Sequence, residues 1–187
     1  MIDRENTPSS KGLAGIARFR VSLGFMTAAV AFWHAAPTWS SLALGGFIAT
    51  FGEIVRVWAA GHIRKGEEVT TSGPYRFTRH PLYLGSFVIG VGFVVAAANV
   101  VATVIVILYL VVMFGVAITL EEATLRKKFG SDYDRYIHGE LHSGDRGFSL
   151  LLAQHNGEYR TLLGFAAGLS VLGIKVWISG SVSGVMF

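Results

Sequence analysis

The sequence predicts an all-α fold, an integral membrane bundle of about five transmembrane helices. Of the 187 residues, 52% are hydrophobic and 15% are charged, and the mean hydropathy is +0.51, which is too apolar for an ordinary soluble domain. Five apolar stretches approach the ~20 residues that cross a bilayer. Between the stretches, lysines and arginines fall only in the segments that a five-helix topology places on one side.

Short polar breaks define how these helices connect. The predicted helices cover residues 19–36, 41–60, 82–98, 100–120 and 161–179. The sequence Pro37-Thr38-Trp39-Ser40 separates the first from the second, and Asn99, a residue that tolerates turn conformations, separates the third from the fourth. We therefore predict two tight helical hairpins and a separate fifth helix.

Charge predicts the orientation and the partners. Cytoplasmic loops are enriched in lysine and arginine, so we expect a cytoplasmic N-terminus and a C-terminus outside. No cleavage site follows the first apolar stretch, so we expect it to stay as an anchor. The net charge of +4 fits contact with anionic lipid headgroups and requires no nucleic acid. Because the chain has no cysteine, disulfides, thiolate metal sites and a cysteine nucleophile are excluded.

Most polar residues gather in two segments, 61–81 and 121–142, which flank the second hairpin at its open end and should be neighbours. In the first segment, Gly73-Pro74 predicts a turn, and Pro81 suits the first turn of a helix. His80 thus precedes a helix N-terminus, whose free backbone N–H groups can meet an anionic group.

Glu121 and Glu122 open the second segment, at the end of the fourth predicted helix. Two adjacent carboxylates at the membrane edge are costly unless a cation or hydrogen-bond donors meet them. A ligand with an ammonium, a sulfonium or ribose hydroxyls would fit. Alternatively, the pair is structural and its cation is Arg126 on the same helix, or Arg76 or Arg79 across the hairpin.

Two linked motifs carry a resemblance to a known family. They are Gly73-Pro74-Tyr75-Arg76 with Arg79-His80-Pro81 and Tyr83-x-Gly85, followed by Glu121-Glu122, Leu125, Phe129-Gly130, Tyr133 and Tyr136. In this order they resemble the isoprenylcysteine carboxyl methyltransferase and phospholipid methyltransferase superfamily over about residues 50 to 138. The resemblance implies a membrane enzyme of the EC 2.1.1 class. Such an enzyme moves a methyl group from S-adenosylmethionine to a lipid or small apolar acceptor and releases S-adenosylhomocysteine.

The resemblance also assigns roles to residues. The cofactor site would lie at the cytoplasmic open end of the second hairpin, with these residues: His80, Pro81, Tyr83, Gly85, Gly90, Gly92, Glu121, Glu122, Tyr133 and Tyr136. The catalytic residues would be Arg79, His80 and Glu122. A carboxylate acceptor needs no base and would be held by Arg76 or Arg79, whereas an amine or thiol would be deprotonated by Glu122 or His80.

Glu53 and Arg56 lie on one face of the second predicted helix. Intramembrane charges usually turn toward the protein interior, so they are candidates either for an internal ion pair or for substrate contacts, together with Arg76. We predict no metal site, because His138, His142 and Asp145 lack a regular three-ligand pattern and fit a solvated loop.

These observations predict one membrane domain, 1–187, in a bacterial or archaeal cytoplasmic membrane. Its predicted parts are a cytoplasmic N-terminal segment (1–18), a first hairpin (19–60), a cofactor-binding core with the second hairpin (61–138), a cytoplasmic connection (139–160), and a fifth helix with its tail (161–187). The acceptor stays open, since the chain departs from carboxyl methyltransferases after Tyr136.

Two alternatives change the function. One is an NADPH-dependent membrane sterol or enone reductase of similar fold, and the other is a non-enzymatic lipid-binding protein. The acidic pair Glu121-Glu122 argues against the reductase, because a 2′-phosphate calls for cations. A lipid-binding protein has no evident need for a histidine between prolines beside that pair. Binding of S-adenosylmethionine or of NADPH would separate the three functions.

Overall fold

The computed structural model describes residues 8–141 and 146–184, and it is all-helical over these residues. Its helices are α1 (Pro8–His34), α2 (Trp39–Ala60), α3 (Pro81–Ala97), α4 (Val100–Phe129), α5 (Ser131–Ile137), α6 (Leu150–His155) and α7 (Glu158–Gly184), with a 3₁₀ turn at Gly73–Arg76. Each of the five predicted apolar stretches is helical, so the all-α prediction is confirmed.

Length and composition make this an integral membrane protein. Within the described residues, Trp39–Ala60, Val100–Phe129 and Glu158–Gly180 are long and apolar enough to span a bilayer. Helix α3 is apolar but shorter, with 17 residues. Large apolar side chains are exposed along these helices, for example Phe47 at 75% and Leu108 at 63%, as expected of surfaces that face lipid.

Helix α4 is longer than hydropathy predicts. The apolar pattern ends at Leu120, whereas the helix continues to Phe129 and carries Glu121 and Glu122 on its last turns. The added residues include Glu, Ala, Leu, Arg and Lys, which are strong helix formers. Their helix propensity therefore extends α4 beyond the end of its apolar stretch.

The two predicted breaks are turns at the same end of the bundle. Thr38 caps α2 by accepting from Ser41 N at 3.1 Å, and Asn99 caps α4 by accepting from Ala102 N at 3.1 Å. The Ala36 N–H donates to the Ala97 carbonyl at 2.8 Å and ties the turns together. The helices do not pack as two simple hairpins, because α1 packs mainly against α4 and α2 mainly against α3.

Small residues explain the close contact between α2 and α3. A Cβ on Gly45 would lie 2.4 Å from Ala96 N, and one on Gly92 would lie 2.5 Å from Ala49 N. The helices are antiparallel, so this contact continues toward the other end, where Gly85 faces Arg56. Without side chains at these positions the two backbones can approach closely, as membrane helices often do.

We expect Gly92→Ala to lower the free energy of unfolding by about 1–3 kcal/mol, because the added methyl group overlaps the backbone of α2. Gly115→Ala on α4 is the matched control, since a Cβ there meets nothing within 4 Å. That change should be neutral or stabilising by up to ~1 kcal/mol through helix propensity. Thermal unfolding in detergent measures both, and equal effects of the two substitutions would contradict the close contact.

Lys175 joins the last helix to the end of the first. Its Nζ donates to the carbonyl oxygens of Phe32 at 2.7 Å and Trp33 at 2.9 Å. These carbonyls belong to the last turn of α1, where helices lack internal donors. A cation there also meets the negative end of the helix dipole, so this intramembrane lysine is paired.

Candidate active site

The segment before α3 is shaped by turn residues. Gly73 has a φ of +58°, and a Cβ there would lie 2.6 Å from the His62 ring. Pro74 lies in the first turn of the 3₁₀ helix, whose Tyr75 is 7% exposed. The next turn ends at His80, which is the N-cap of α3, and Pro81 takes the first helical position. The prolines and Gly73 thereby fix where Arg79 and His80 stand.

Arg79, His80 and Glu122 meet at the open end of α3 and α4. His80 Nε2 lies 3.0 Å from Glu122 Oε1, and Arg79 Nη1 lies 3.5 Å from the same oxygen. Because the carboxylate accepts, Nε2 carries the hydrogen in this contact. The side chains of His80 and Glu122 are 16% and 25% exposed, so the pair is largely shielded from water.

A cavity of about 380 Å³ lies beside this cluster, within the size range of small-molecule sites. Its lining mixes carboxylates, cations and aromatic rings, including Arg56, Tyr75, Arg79, His80, Tyr83 and Glu121. Within this lining, Tyr83 and Glu121 interact electrostatically. We call this cavity the cleft.

A recess of about 140 Å³ adjoins the cleft. The two cavities share Lys65, Tyr75, Arg79 and Glu121. The recess is otherwise formed by Leu125 of α4, by Tyr133 and Tyr136 of α5, and by residues 63–66 and 68–70. The two predicted polar segments therefore form one continuous depression.

Two buried hydroxyl groups in this depression lack partners. The hydroxyls of Tyr75 and Tyr133 have no hydrogen-bond partner among the described residues, while the Tyr136 hydroxyl donates to the Tyr75 carbonyl at 2.8 Å. Burial raises the pKa of the Tyr75 and Tyr133 hydroxyls, which keeps both protonated and able to donate. An unpaired buried hydroxyl costs about 1–3 kcal/mol, so a ligand with acceptor atoms would stabilise both.

Burial also raises the pKa of Tyr136, to about 12, which gives a test in alkaline solution. An unfolded tyrosine ionises near pH ~10, so between about pH 10 and 12 the folded chain holds a proton that the unfolded chain has lost. The free energy of unfolding should therefore fall as the pH rises through this window. Thermal unfolding should show a shallower fall in Tyr136→Phe, and an unchanged slope would contradict the shift.

Arg56 is paired, but not with Glu53. Its guanidinium contacts Glu158 at the start of α7 through two bonds, Nη2 to Oε1 at 2.8 Å and Nε to Oε2 at 3.1 Å. It also donates to the Leu82 carbonyl, Ser86 and Thr161. The predicted alternative of an internal ion pair between Glu53 and Arg56 is therefore wrong. The Glu158 carboxylate accepts the two guanidinium bonds, and neither Glu53 oxygen has a hydrogen-bond partner among the described residues.

The remaining predicted residues occupy different places. Arg76 ends the 3₁₀ turn with an exposed side chain. A Cβ on Gly85 would lie 2.6 Å from Arg56 Cγ, so this glycine leaves room for Arg56 beside the cleft. Gly90 faces Leu110 and Gly92 faces Ala49, so helix packing accounts for this glycine pair, and neither residue lines the cleft.

Seven residues that line the cleft were not among the predicted site residues: Arg20, Lys65, Tyr75, Leu82, Ser86, Phe114 and Glu158. The position of Tyr75 inside the Gly-Pro-Tyr-Arg motif could have identified it as a site residue. Glu158 lies in the predicted connection, where no motif pointed to it. Among the described residues, no group of His, Asp and Glu is arranged to hold a metal ion. His142 and Asp145 lie outside the described residues.

Comparisons with known proteins agree with the resemblance. The model of the isoprenylcysteine carboxyl methyltransferase family matches residues 46–127. A probable protein-S-isoprenylcysteine O-methyltransferase of Oryza sativa subsp. japonica is 32% identical over 134 residues, which are 65% of this chain and 70% of the rice protein. No solved structure matches the chain.

Bacterial relatives with other names are similar as well. The nickel-cobalt-cadmium resistance protein NccN of Alcaligenes xylosoxydans xylosoxydans is 35% identical over 104 residues, or 53% of this chain. The cobalt-zinc-cadmium resistance protein CzcN of Cupriavidus metallidurans is 31% identical over 121 residues, or 61% of this chain. The matches span 48% and 56% of these two relatives, about half of their length.

Proposed function

Because the chain belongs to the isoprenylcysteine carboxyl methyltransferase family, we propose that it moves a methyl group from S-adenosylmethionine to a lipid or small apolar acceptor. The observation that carries the proposal is the depression formed by the cleft and the recess. There Glu121, His80 and two unpaired tyrosine hydroxyls meet, and Glu122, which lines neither cavity, contacts His80.

The residues of this depression fit S-adenosylmethionine chemically. Glu121 suits its sulfonium or ammonium group, and the neighbouring Glu122 adds a second negative charge. The hydroxyls of Tyr75 and Tyr133 can donate to its ribose or carboxylate oxygens. The Tyr133 and Tyr136 rings and Leu125 provide apolar walls for an adenine. When bound, the cofactor supplies a methyl group already activated by the sulfonium.

For the reaction itself, the protein has to align the methyl donor with the acceptor and, for some acceptors, remove a proton. Holding two reactants in line can supply much of the rate, and His80 at the rigid start of α3 is well placed to do so. The His80–Glu122 pair can take the proton of an amine or thiol. A carboxylate acceptor needs no base and can pair with Arg79.

Calorimetry on detergent-purified protein tests the cofactor. We expect S-adenosylmethionine and S-adenosylhomocysteine to bind with micromolar dissociation constants, about −8 kcal/mol, and NADPH not to bind. Binding of NADPH alone would make the protein a reductase. Binding of none of the three would favour a non-enzymatic lipid-binding role.

We also propose that the depression faces the cytoplasm of a bacterial or archaeal cell, with the N-terminus on that side. The basic segments support this orientation. Because the chain has no cysteine, single cysteines introduced at Ser40 and Gly147 report the two sides. In intact cells, an impermeant maleimide should label Ser40→Cys and spare Gly147→Cys, and the reverse pattern would invert the topology.

A further inference from the structure

Glu53 is a buried carboxylate that the proposed chemistry does not use. It lies on the membrane-spanning helix α2, is 5% exposed, and has no hydrogen-bond partner for either oxygen among the described residues. A carboxylate that is desolvated without a partner is costly, and such groups inside a membrane usually mark a functional site. A bound partner would remove this cost.

Glu53 lines an apolar groove of about 510 Å³ between α2, α7 and the segment before α6. The other side chains of the groove that matter here are Thr50, Ile54, Trp58, Phe148 and Phe165. The Thr50 hydroxyl already donates to the Gly46 carbonyl at 2.8 Å. Glu53 is therefore the unsatisfied polar group in a groove that is otherwise suited to a hydrocarbon chain.

Within the described part of the chain, Glu53 has charged neighbours but no pairing partner. Arg56 and Glu158 both interact electrostatically with Glu53, but the guanidinium of Arg56 is already held by two bonds to the Glu158 carboxylate. Neither Glu53 oxygen has a hydrogen-bond partner among the described residues. A ligand with one positive charge and N–H donors would pair with the ionised form of Glu53 and stabilise it.

The position and lining of the groove indicate what kind of cation would bind there. Ile54 is 60% exposed and Trp58 is 40% exposed on the lipid-facing surface, so the groove opens sideways toward hydrocarbon rather than only toward water. Trp58 and Phe148 also provide aromatic rings, which attract ammonium groups. An alkyl chain in the groove with an ammonium group at Glu53 would fit both the opening toward hydrocarbon and the aromatic rings.

We infer that this groove binds a membrane amphiphile that carries an ammonium group, with the ammonium at Glu53 and the alkyl chain along α2 and α7. This binding site is separate from methyl transfer, and the test below uses no methyl donor, so its result does not depend on the proposed function. Arg56 and Glu158, which interact with Glu53, also line the cleft, which places the two sites side by side.

Fluorescence quenching tests the site. The other tryptophans, Trp33, Trp39 and Trp177, are 81%, 63% and 66% exposed, so they can be replaced by phenylalanine to leave Trp58 as the reporter. In dodecyl maltoside micelles, 12-bromododecylamine should half-quench Trp58 at a concentration about tenfold lower than 12-bromododecanol, because only the ammonium pairs with a carboxylate. Ethylammonium, which has no chain, should not compete at the same concentration.

Substitutions identify the carboxylate. Glu53→Gln keeps the shape of the side chain and should abolish the preference for the ammonium probe, while Glu67→Gln, which removes an exposed carboxylate, should preserve it. Equal quenching by both probes in the parent protein, or an unchanged preference in Glu53→Gln, would overturn the proposal. Full competition by ethylammonium would overturn it too, and the comparison of probes in the parent protein decides if the variant does not fold.

Discussion

Replacing Glu122 with glutamine is expected to raise the dissociation constant for S-adenosylmethionine at least about tenfold and to lower methyl transfer by about 10²–10⁴-fold. The substitution keeps the size of the side chain but removes the charge that holds His80 at 3.0 Å and Arg79 at 3.5 Å. It therefore removes both an anionic group of the proposed cofactor site and the orientation of its base. Calorimetry gives the first quantity, and transfer of a labelled methyl group to membrane extract gives the second.

A matched control separates this effect from general charge loss. Glu67→Gln removes a carboxylate that is 69% exposed and forms a surface ion pair with Arg64, so it should leave both quantities unchanged. Comparing the two cofactor forms adds detail, since S-adenosylhomocysteine lacks the positive sulfonium. If Glu122 faces the sulfonium, its substitution weakens S-adenosylmethionine more than S-adenosylhomocysteine. A folded Glu122→Gln protein with the affinity and activity of the parent would contradict the proposed site.

Arg56→Met is expected to destabilise the protein by about 3–5 kcal/mol. The side chains of Arg56 and Glu158 are 17% and 7% exposed, and the pair joins α2 to α7. Removing the guanidinium leaves the carboxylates of Glu158 and Glu53 near each other without a cation between them. Unfolding by sodium dodecyl sulfate in mixed micelles should show the loss as an earlier transition.

The double variant Arg56→Met with Glu158→Met provides the test of mechanism. Replacing both members of a buried ion pair by apolar residues is often neutral or stabilising, so the double variant should recover most of the lost stability. Glu67→Gln again serves as the control, because an exposed pair contributes no more than about 1 kcal/mol. An Arg56→Met protein as stable as the parent would show that the pair does not hold α7 in place.

Local signals in the sequence predicted the turns and the ends of helices well. Thr38 and Asn99 cap helices where the polar breaks indicated, and Pro81 begins α3 as expected. These features depend on a few neighbouring residues. The extension of α4 to Phe129 was missed because hydropathy stops at Leu120, although the helix does not.

Long-range pairings were not predictable in the same way. Arg56 lies three residues from Glu53 and on the same face, which suggested a pair between them, but its partner Glu158 is 102 residues away. Nothing in a single sequence tells which helices become neighbours, so the packing of α1 against α4 was also missed. The prediction of the family succeeded because its motifs are local and occur in a fixed order.

The bond from Lys175 to the end of α1 has a consequence for biosynthesis. The carbonyls of Phe32 and Trp33 are made early, and their donor is synthesised 143 and 142 residues later. Until α7 enters the membrane, the last turn of α1 must therefore keep its carbonyls hydrated at the bilayer surface. This contact can form only after α7 has been inserted. A ribosome stalled before Lys175 therefore leaves a chain in which these two carbonyls lack the lysine donor.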